Sequence, residues 1–478
     1  MSRSPMRASW QRTLLAITLA IAHVAFAGQW PQFRGPGGLG VSTDAKPPVQ
    51  FGPTTNLVWK IDFPAGNSSP VIWDDRIFLT ASGDKKLSTI CIDRRDGKQL
   101  WRQDVAVEKL EPTHRLGNPA TPTPVTDGRR VYVYFGSLGL VCYDPAGREL
   151  WRKEMATPVV EFGNSSSPVL VDDLLILNAD QDLGSFLTAL DPATGKTVWK
   201  RDRAEFRRGF ATPFVWRHDG ETELVVPGSL WLRGYNPKDG SERWTVSGTS
   251  RVACASPVAG DGLLFSSSWN LGGDEGERLS MPSFSEAVTQ FDLNHDGHFT
   301  QDELPKGPVR DRFTQMDLNK DGIVTGAEWD NMADMFAKAE NSLLAIRPGG
   351  HGEITKTHLA WKQLKQLPYV SSPLFYDGRL YTIKNGGLAS CYDARTGVAH
   401  YQGERMGALG DYYASCVAAD GRVYATAQNG VVVVLKAGDN FEVLARNELG
   451  QQVMATPALI NNRIYIRGEK TLWAFGPP

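Results

Sequence analysis

Apolar and polar positions along this chain fall into a repeating order. A unit opens on a small residue followed by Pro: Ser69-Pro70, Thr123-Pro124, Ser167-Pro168, Thr212-Pro213, Ser256-Pro257, Ser372-Pro373 and Thr456-Pro457. Ser415-Cys416 holds the same place without its Pro. An apolar pair follows, then a polar turn such as Asp127-Gly128 or Asp377-Gly378, then a β-prone run such as Val131-Tyr-Val-Tyr134. The unit closes on a third signal, clearest in Ala189-Leu-Asp191-Pro-Ala-Thr194-Gly195-Lys196-Thr-Val-Trp199. There the Asp side chain can accept from the turn's backbone N–H groups, Gly takes a positive φ that other residues resist, and Trp brings a large apolar surface with one N–H donor. Worn copies end at Trp101, Trp151, Trp244 and Tyr401.

Three or four short strands in a unit of 40–50 residues make a propeller blade. Trp101 to Trp151 is 50 residues, Trp151 to Trp199 is 48, and Trp199 to Trp244 is 45. Trp361 follows after 117, Tyr401 after 40 and Leu444 after 43. The chain ends on three strands, around Ala455-Thr-Pro457, Arg463-Ile-Tyr-Ile466 and Leu472-Trp-Ala-Phe475, while Asn56-Leu-Val-Trp59-Lys60 is a last strand with no blade before it. Pairing the two gives eight blades and abolishes the open sheet edge. The sequence therefore predicts an all-β, eight-bladed propeller over 54–478, an extended arm over 28–53 pinned by Trp30 and Phe33, and a small helical insertion over 275–340 in blade five.

The Trp-closing repeat resembles that of the quinoprotein propellers. That group includes eight-bladed dehydrogenases dependent on pyrroloquinoline quinone (PQQ) and non-catalytic relatives, among them the lipoprotein propeller of the outer-membrane assembly machinery. The resemblance covers nearly the whole chain after residue 27 and speaks to fold more than to function, because the motif is a packing device. For an enzyme it implies a quinone in the central funnel, stacked on a Trp and opposed to two adjacent cysteines. It also implies carboxylate and amide ligands to a calcium ion, and an Asp base. No two cysteines are adjacent in this chain.

Composition adds an address. Arg3, Arg7 and Arg12 precede an apolar run from Leu14 to Val24, and Ala25-Phe-Ala27 is a small-x-small cleavage site, so residues 1–27 read as an export signal. A periplasmic or secreted protein is expected, with no transmembrane segment and, lacking a Cys at the cleavage point, no lipid anchor. The mature chain would carry 48 basic and 53 acidic residues, a net charge of −5. With no Lys/Arg run, that balance argues against nucleic acid or anionic lipid as a partner. Gly35-Pro-Gly37-Gly38-Leu-Gly40 matches a dinucleotide-binding pattern by letter only, having no strand before it and no helix after it. Cys91, Cys142 and Cys391 occupy the motif position of Ala189, and Cys254 and Cys416 sit beside the small-Pro positions. Such places lie far apart in a propeller, so buried thiols are expected rather than disulfides.

The 117-residue interval exceeds a blade by about 70 residues, and the surplus contains the sharpest chemistry. Asp292, Asn294, Asp296, His298 and Glu303 take positions 1, 3, 5, 7 and 12 of a calcium loop, and Asp317, Asn319, Asp321, Ile323 and Glu328 take those positions of a second. Calcium wants six to eight hard oxygens: side chains at 1, 3 and 5, a backbone carbonyl at 7 and a bidentate Glu at 12, with Gly at 6 for the bend. Gly297 and Gly322 fill that last place, and Phe299 and Val324 at position 8 can join the loops by a short β-bridge. Two full matches 25 residues apart predict an EF-hand pair binding two Ca²⁺ ions, flanked by a helix opening at the capping box Ser283-Phe-Ser-Glu286 and an exit helix striped by Trp329, Met332 and Phe336.

Two functions remain open at this point. One is an exported calcium-binding propeller serving as a non-catalytic binding or scaffold module. Residues just before the small-Pro positions should then ring one mouth of the channel: Arg115, Asn118, Asn164, Arg208, Arg251, Tyr369, Tyr412, Tyr413 and Gln452. They would suit an anionic or carbohydrate ligand, a peptide, or a protein partner. The other is a PQQ-dependent dehydrogenase, for which no catalytic residue is assignable and PQQ is not expected to bind. Trp231 and Trp269 fall outside the closing positions and could line a pocket, with a place on the surface or in the core the first expectation, and the calcium loops are expected on an excursion away from the funnel wall.

Overall fold

The computed structural model describes residues 28–274 and 280–477, so the expected export signal lies outside the described residues. Eight antiparallel sheets form the blades of a propeller, each of four strands except for one extra strand on blade four. Blade one is typical, running outward through Val71–Trp73, Arg76–Gly83, Lys86–Asp93 and Gln99–Ala106. Its two middle strands are buried almost throughout, while the outermost is largely exposed. The ring closes as its ends require: Leu57–Asp62 pairs with Thr471–Phe475, setting Trp59 opposite Ala474 and Lys60 opposite Trp473. That strand runs two residues past the predicted Asn56–Lys60. All five cysteines are free.

The closing motif joins neighbouring blades. Five indole N–H groups donate to a carbonyl in the next blade's turn: Trp59 to Arg94 at 3.1 Å, Trp101 to Pro145 and Trp151 to Pro192 at 3.0 Å, and Trp199 to Pro237 and Trp361 to Ala394 at 2.9 Å. Glycine is needed beneath the ring. At Gly195, with φ +71°, a Cβ would come within 2.6 Å of Trp151. Two expectations need correction. The Trp244 indole N–H reaches no turn carbonyl of the next blade and donates instead to Glu223 Oε2 in its own blade at 2.8 Å. Blade five lacks the Asp–Gly turn that would receive it, and Gly352–Glu353 pairs in parallel with Glu242–Ser247 there. In blade seven the residue in register with Tyr401 is Ala445 rather than Leu444, because Ala445 lies opposite Val434 as Tyr401 lies opposite Cys391. A slip of one residue sends the side chain to the other face.

The inner edge of each blade faces the channel and needs its N–H groups satisfied. The small-Pro positions do this. Pro removes one donor, and the residue before it gives its N–H to the hydroxyl of the equivalent residue in the next blade. The donations run Ser69 to Thr123, Thr123 to Ser167, Ser167 to Thr212, Thr212 to Ser256, Ser256 to Ser372, Ser372 to Ser415, Ser415 to Thr456 and Thr456 back to Ser69, all between 2.9 and 3.1 Å. The circle is complete. Blade seven keeps its hydroxyl although its Pro is replaced by Cys416.

The arm crosses the end of the ring that carries the Asp–Gly turns. Trp30, with no exposed surface, bridges Ile72 of blade one. Arg34 donates to the Pro373 carbonyl of blade six at 2.6 Å, Val41 pairs with Ala418 of blade seven, and Lys46 N–H bonds the Asn461 carbonyl of blade eight. Where an extended chain was expected, Pro36–Gly38 makes one 3-10 turn.

Candidate functional site

At the opposite end, the connections between blades surround a cavity of about 630 Å³. Phe33 of the arm and all eight members of the hydroxyl circle line it, and none of those hydroxyls finds an acceptor among the described residues. Six of the nine residues expected at the mouth are there: Arg115, Asn164, Arg208, Arg251, Tyr369 and Tyr413. The other three are not. Asn118 caps its own turn through Ala120 N–H and accepts from Ser82, Tyr412 is buried with its hydroxyl on the Ala408 carbonyl, and Gln452 lines a separate shallow groove. Trp269, expected on the surface or in the core, lines the cavity with its ring 5.4 Å from that of Tyr369, edge to face. Trp231 packs against Phe206 outside it.

Among the described residues the cavity has no Asp or Glu in its lining. Its arginines differ in how they are held. Arg208 is neutralised by Asp182 at 2.6 Å and Glu161 at 3.1 Å. Arg251 has no carboxylate partner among the described residues, and its Nε is buried without a hydrogen bond. Burial, then repulsion from Arg312 and Arg208, lowers its guanidinium to about 10, so at neutral pH it stays charged. Arg115 is exposed and likewise unpaired among the described residues. Cys254 is the one thiol in the lining, and burial pushes it up to about 12, which leaves it a neutral, unreactive group.

The excursion in blade five lies between Leu263–Ser268 and Ser342–Ile346. Among the described residues it holds three α-helices: α1 (Phe284–Phe291), α2 (Phe313–Met316) and α3 (Gly326–Lys338). α1 opens on the predicted capping box, and Trp329, Met332 and Phe336 of α3 close over Phe299, Phe313, Met316 and Val324 in a core of their own. Nine of the ten predicted calcium ligands fall in the two loops between these helices, and Glu328 lies in the first turn of α3. Phe299 and Val324 join the loops through both hydrogen bonds of an antiparallel bridge. The structure does not gather the loop carboxylates around a common point, and among the described residues no three His, Cys, Asp or Glu side chains form a metal-sized cluster. Instead Asp292 accepts from His295 and Gly297 N–H, Asp317 from Asp321 and Gly322 N–H, and Glu328 from Leu318 and Thr325 N–H. Hydrogen bonds from Thr300, its backbone N–H first, hold Glu303 below the usual carboxylate range. Glu303 Oε1 makes no hydrogen bond of regular geometry, with only the weaker influence of the Asn294 and Leu293 N–H groups beside it, and so is the oxygen left for a cation. In residue type the donor set, all hard oxygens, suits calcium, while the carboxylates do not converge in this structure.

The excursion does reach the funnel, contrary to expectation. Gln315 of α2 is part of the cavity wall. Arg207, 7 % exposed, donates from the propeller to the Gln315 carbonyl at 2.8 Å and to Asn331 Oδ1 of α3 at 3.2 Å. Arg251 reaches Gln315 Oε1 at 3.5 Å and lies 5.2 Å from the ring of Phe336. No local sequence signal marks these contacts. The hydroxyl circle did have one, since every member of the series is Ser or Thr.

A family profile described as outer membrane protein assembly factor BamB matches residues 85–268, which run from blade one to the start of the excursion. The quinoprotein alcohol dehydrogenase PedH of Pseudomonas putida is 26% identical over 274 residues, covering 49% of this chain and 43% of that protein. The outer membrane protein assembly factor BamB of Burkholderia pseudomallei is 28% identical over 121 residues, covering 25% of this chain and 29% of that protein. The chain thus spans less than half the length of these curated relatives. Among solved structures, BamB from Moraxella catarrhalis superposes with a TM-score of 0.54 at 12% identity, covering 88% of this chain and 97% of that one. A europium-containing methanol dehydrogenase gives 0.56 at 10% identity over 94% and 98%. The fold is an eight-bladed β-propeller, and the proteins this chain is similar to include both quinoprotein dehydrogenases and an outer-membrane assembly factor. No helix among the described residues is long and apolar enough to cross a membrane.

Proposed function

We propose that this chain is an exported, calcium-binding propeller that acts as a non-catalytic binding module, and that its mouth cavity takes an organic anion. The observation that carries this reading is the charge of the cavity wall: Arg251 and Arg115 face it unpaired, hydroxyls ring its floor, and no described carboxylate lines it. A guanidinium in such a place is held for a ligand that supplies the missing negative charge. The EF-hand pair in blade five is the calcium-binding element. Asp292, Asn294, Asp296, Glu303 and the His298 carbonyl would hold one ion, and Asp317, Asn319, Asp321, Glu328 and the Ile323 carbonyl the other. Their role is to fix the excursion against the propeller, and sites of this kind outside the cell are weak, of order 10⁻⁴–10⁻³ M.

The relatives favour a second reading, a PQQ-dependent dehydrogenase. Oxidation by a quinone needs a base for the substrate proton and a Lewis acid on the quinone carbonyl. The cavity's described lining offers no carboxylate for either task, and Cys254 has no Cys neighbour. PQQ and calcium added to the mature protein with primary alcohols and an artificial electron acceptor should give no turnover above background. For the binding reading, fluorescence titration of the mature chain with naphthalene-2,6-dicarboxylate should saturate below about 1 mM, while the neutral diamide should not. Arg251→Gln should weaken binding about tenfold or more. Equal binding of acid and diamide, or dehydrogenase turnover, would overturn the reading.

A further inference from the structure

We infer that the excursion is part of the anion site and that calcium in its second loop sets the strength of anion binding. This rests on the anion reading of the cavity and adds its regulation. Arg251 is held in place from outside its own blade. Its partners are not in the propeller. They are Gln315 on α2, at 3.5 Å, and the face of Phe336 on α3, at 5.2 Å. The neighbouring Arg207 grips the same two helices through the Gln315 carbonyl and Asn331. Two arginines of the propeller therefore rest on one pair of helices, and one of the two faces the cavity.

The second calcium loop joins those helices. Asp317, its first position, directly follows α2, and Glu328, its last, lies in the first turn of α3 with its side chain on Leu318 and Thr325 N–H. An ion held between Asp317 and Glu328 fixes α2 against α3, and so fixes Gln315 against Phe336. With that geometry set, Arg251 is presented to the cavity in one position and a ligand need not order it at its own expense. With the loop slack, the same guanidinium loses its platform. It is also repelled by Arg208 and by Arg312, itself 5.4 Å from Phe336. The first loop, 292–303, has no such contact with either arginine among the described residues. The two loops are therefore unequal: both bind calcium, and the second carries the coupling. Linkage makes the effect reciprocal, so an anion that gains from calcium must tighten calcium by the same factor.

The mature full-length chain tests this with naphthalene-2,6-dicarboxylate as probe, titrated with calcium and after chelation. Calcium should tighten the probe by about tenfold, and saturating probe should tighten the weaker calcium step by a matching factor. Glu328→Gln should erase the difference, while Glu303→Gln should lower the calcium stoichiometry and keep most of it. Phe336→Leu should remove it, and Phe336→Tyr, which restores the aromatic face, should bring it back. A ligand-independent arm follows phenylglyoxal modification of Arg251 by mass spectrometry, where chelation should raise the rate several-fold. A probe that binds equally with and without calcium overturns the coupling and leaves the anion reading standing. A probe that binds in neither state overturns the anion reading, and the modification rate then decides the coupling: no change on chelation refutes it.

Discussion

Trp59→Ala isolates the joint at which the ring closes. Trp59 sits on the strand from the N-terminal side that completes blade eight, and its indole reaches over Gly97 of blade one to the Arg94 carbonyl. The side chain is 8 % exposed and packs 6.0 Å from Tyr465. Truncating a buried Trp costs about 3–5 kcal/mol, part lost transfer energy and part the cavity left behind. The Arg94 carbonyl keeps a second donor in Arg463 at 3.3 Å, so the lost hydrogen bond adds little. About 4 kcal/mol in a chain of this length, with an unfolding entropy of about 0.9 kcal/mol/K, lowers Tm by about 4 °C.

Trp151→Ala supplies the control, because Trp151 makes the same contact inside the ring, between blades two and three, with Pro192 and Gly195 as partners. Scanning calorimetry of both variants should show equal losses. That equality is the point: a closing strand that belongs to the ring must cost as much to disturb as an internal one. If Trp59→Ala melts with the wild type while Trp151→Ala drops, the closure argument is wrong.

Further outcomes follow from single residues. Burial raises the Glu111 carboxyl to about 7 against hydrogen bonds from Asn164 and Gly136 N–H, and its Oε1 has no partner. A raised acid stabilises the fold below its unfolded value near 4.5 and loses that contribution as pH climbs through 7, roughly 3 kcal/mol in all, so Glu111→Gln should flatten the melting profile between those limits. Glu303→Gln removes half of a bidentate carboxylate and a charge, and calorimetry on the mature chain should show one of two calcium sites weakened about tenfold or more. Ser415→Ala opens the hydroxyl circle and leaves Ser372 N–H without its acceptor, which should cost about 1–3 kcal/mol in urea unfolding.

The fold was legible because its joints are local. Asp191, Gly195 and Trp199 lie within one turn and strand, so the residues that link two blades appear together in the sequence even though the link is long-range. The same locality explains the failures. Trp244 has a proper turn before it, and what it lacks is a receiving turn in blade five, visible only as the absence of an Asp-x-x-x-Gly between Ile346 and Trp361. The hydroxyl circle was read as a preference for small residues, although a uniform Ser or Thr at eight positions is a chemical signal and not a steric one. The cavity wall was half legible. Positions could be aligned by unit, so Arg251 and Tyr369 were placed correctly. The contacts of Gln315 and Phe336 with Arg251 join residues 64 and 85 apart in the chain through tertiary packing alone, which no repeat pattern encodes.

Buried arginines decide which part of this molecule is built for stability and which for a ligand. Burial lowers Arg34 and Arg251 to about 10 and Arg467 to about 9, and none of the three has a carboxylate partner among the described residues. Arg467 nevertheless has an evident structural role: it donates to the Ser68 carbonyl at 3.0 Å and the Thr80 carbonyl at 2.6 Å, tying blade eight to blade one beside the closing strand. Arg34 does the same for the arm through Pro373. Arg251 makes no such bond, only one long contact to Gln315, and it faces open space. Arg467→Met should therefore cost several kcal/mol, since it leaves buried carbonyls unpaired. Arg251→Gln removes a charge with nothing to neutralise it, so its melting point should hold or rise even as the naphthalene dicarboxylate binds about tenfold or more weakly. That opposition, stability unharmed and binding weakened, is what a residue kept for its ligand must show. A loss of stability at Arg251 equal to that at Arg467 would assign it to the frame of the protein instead.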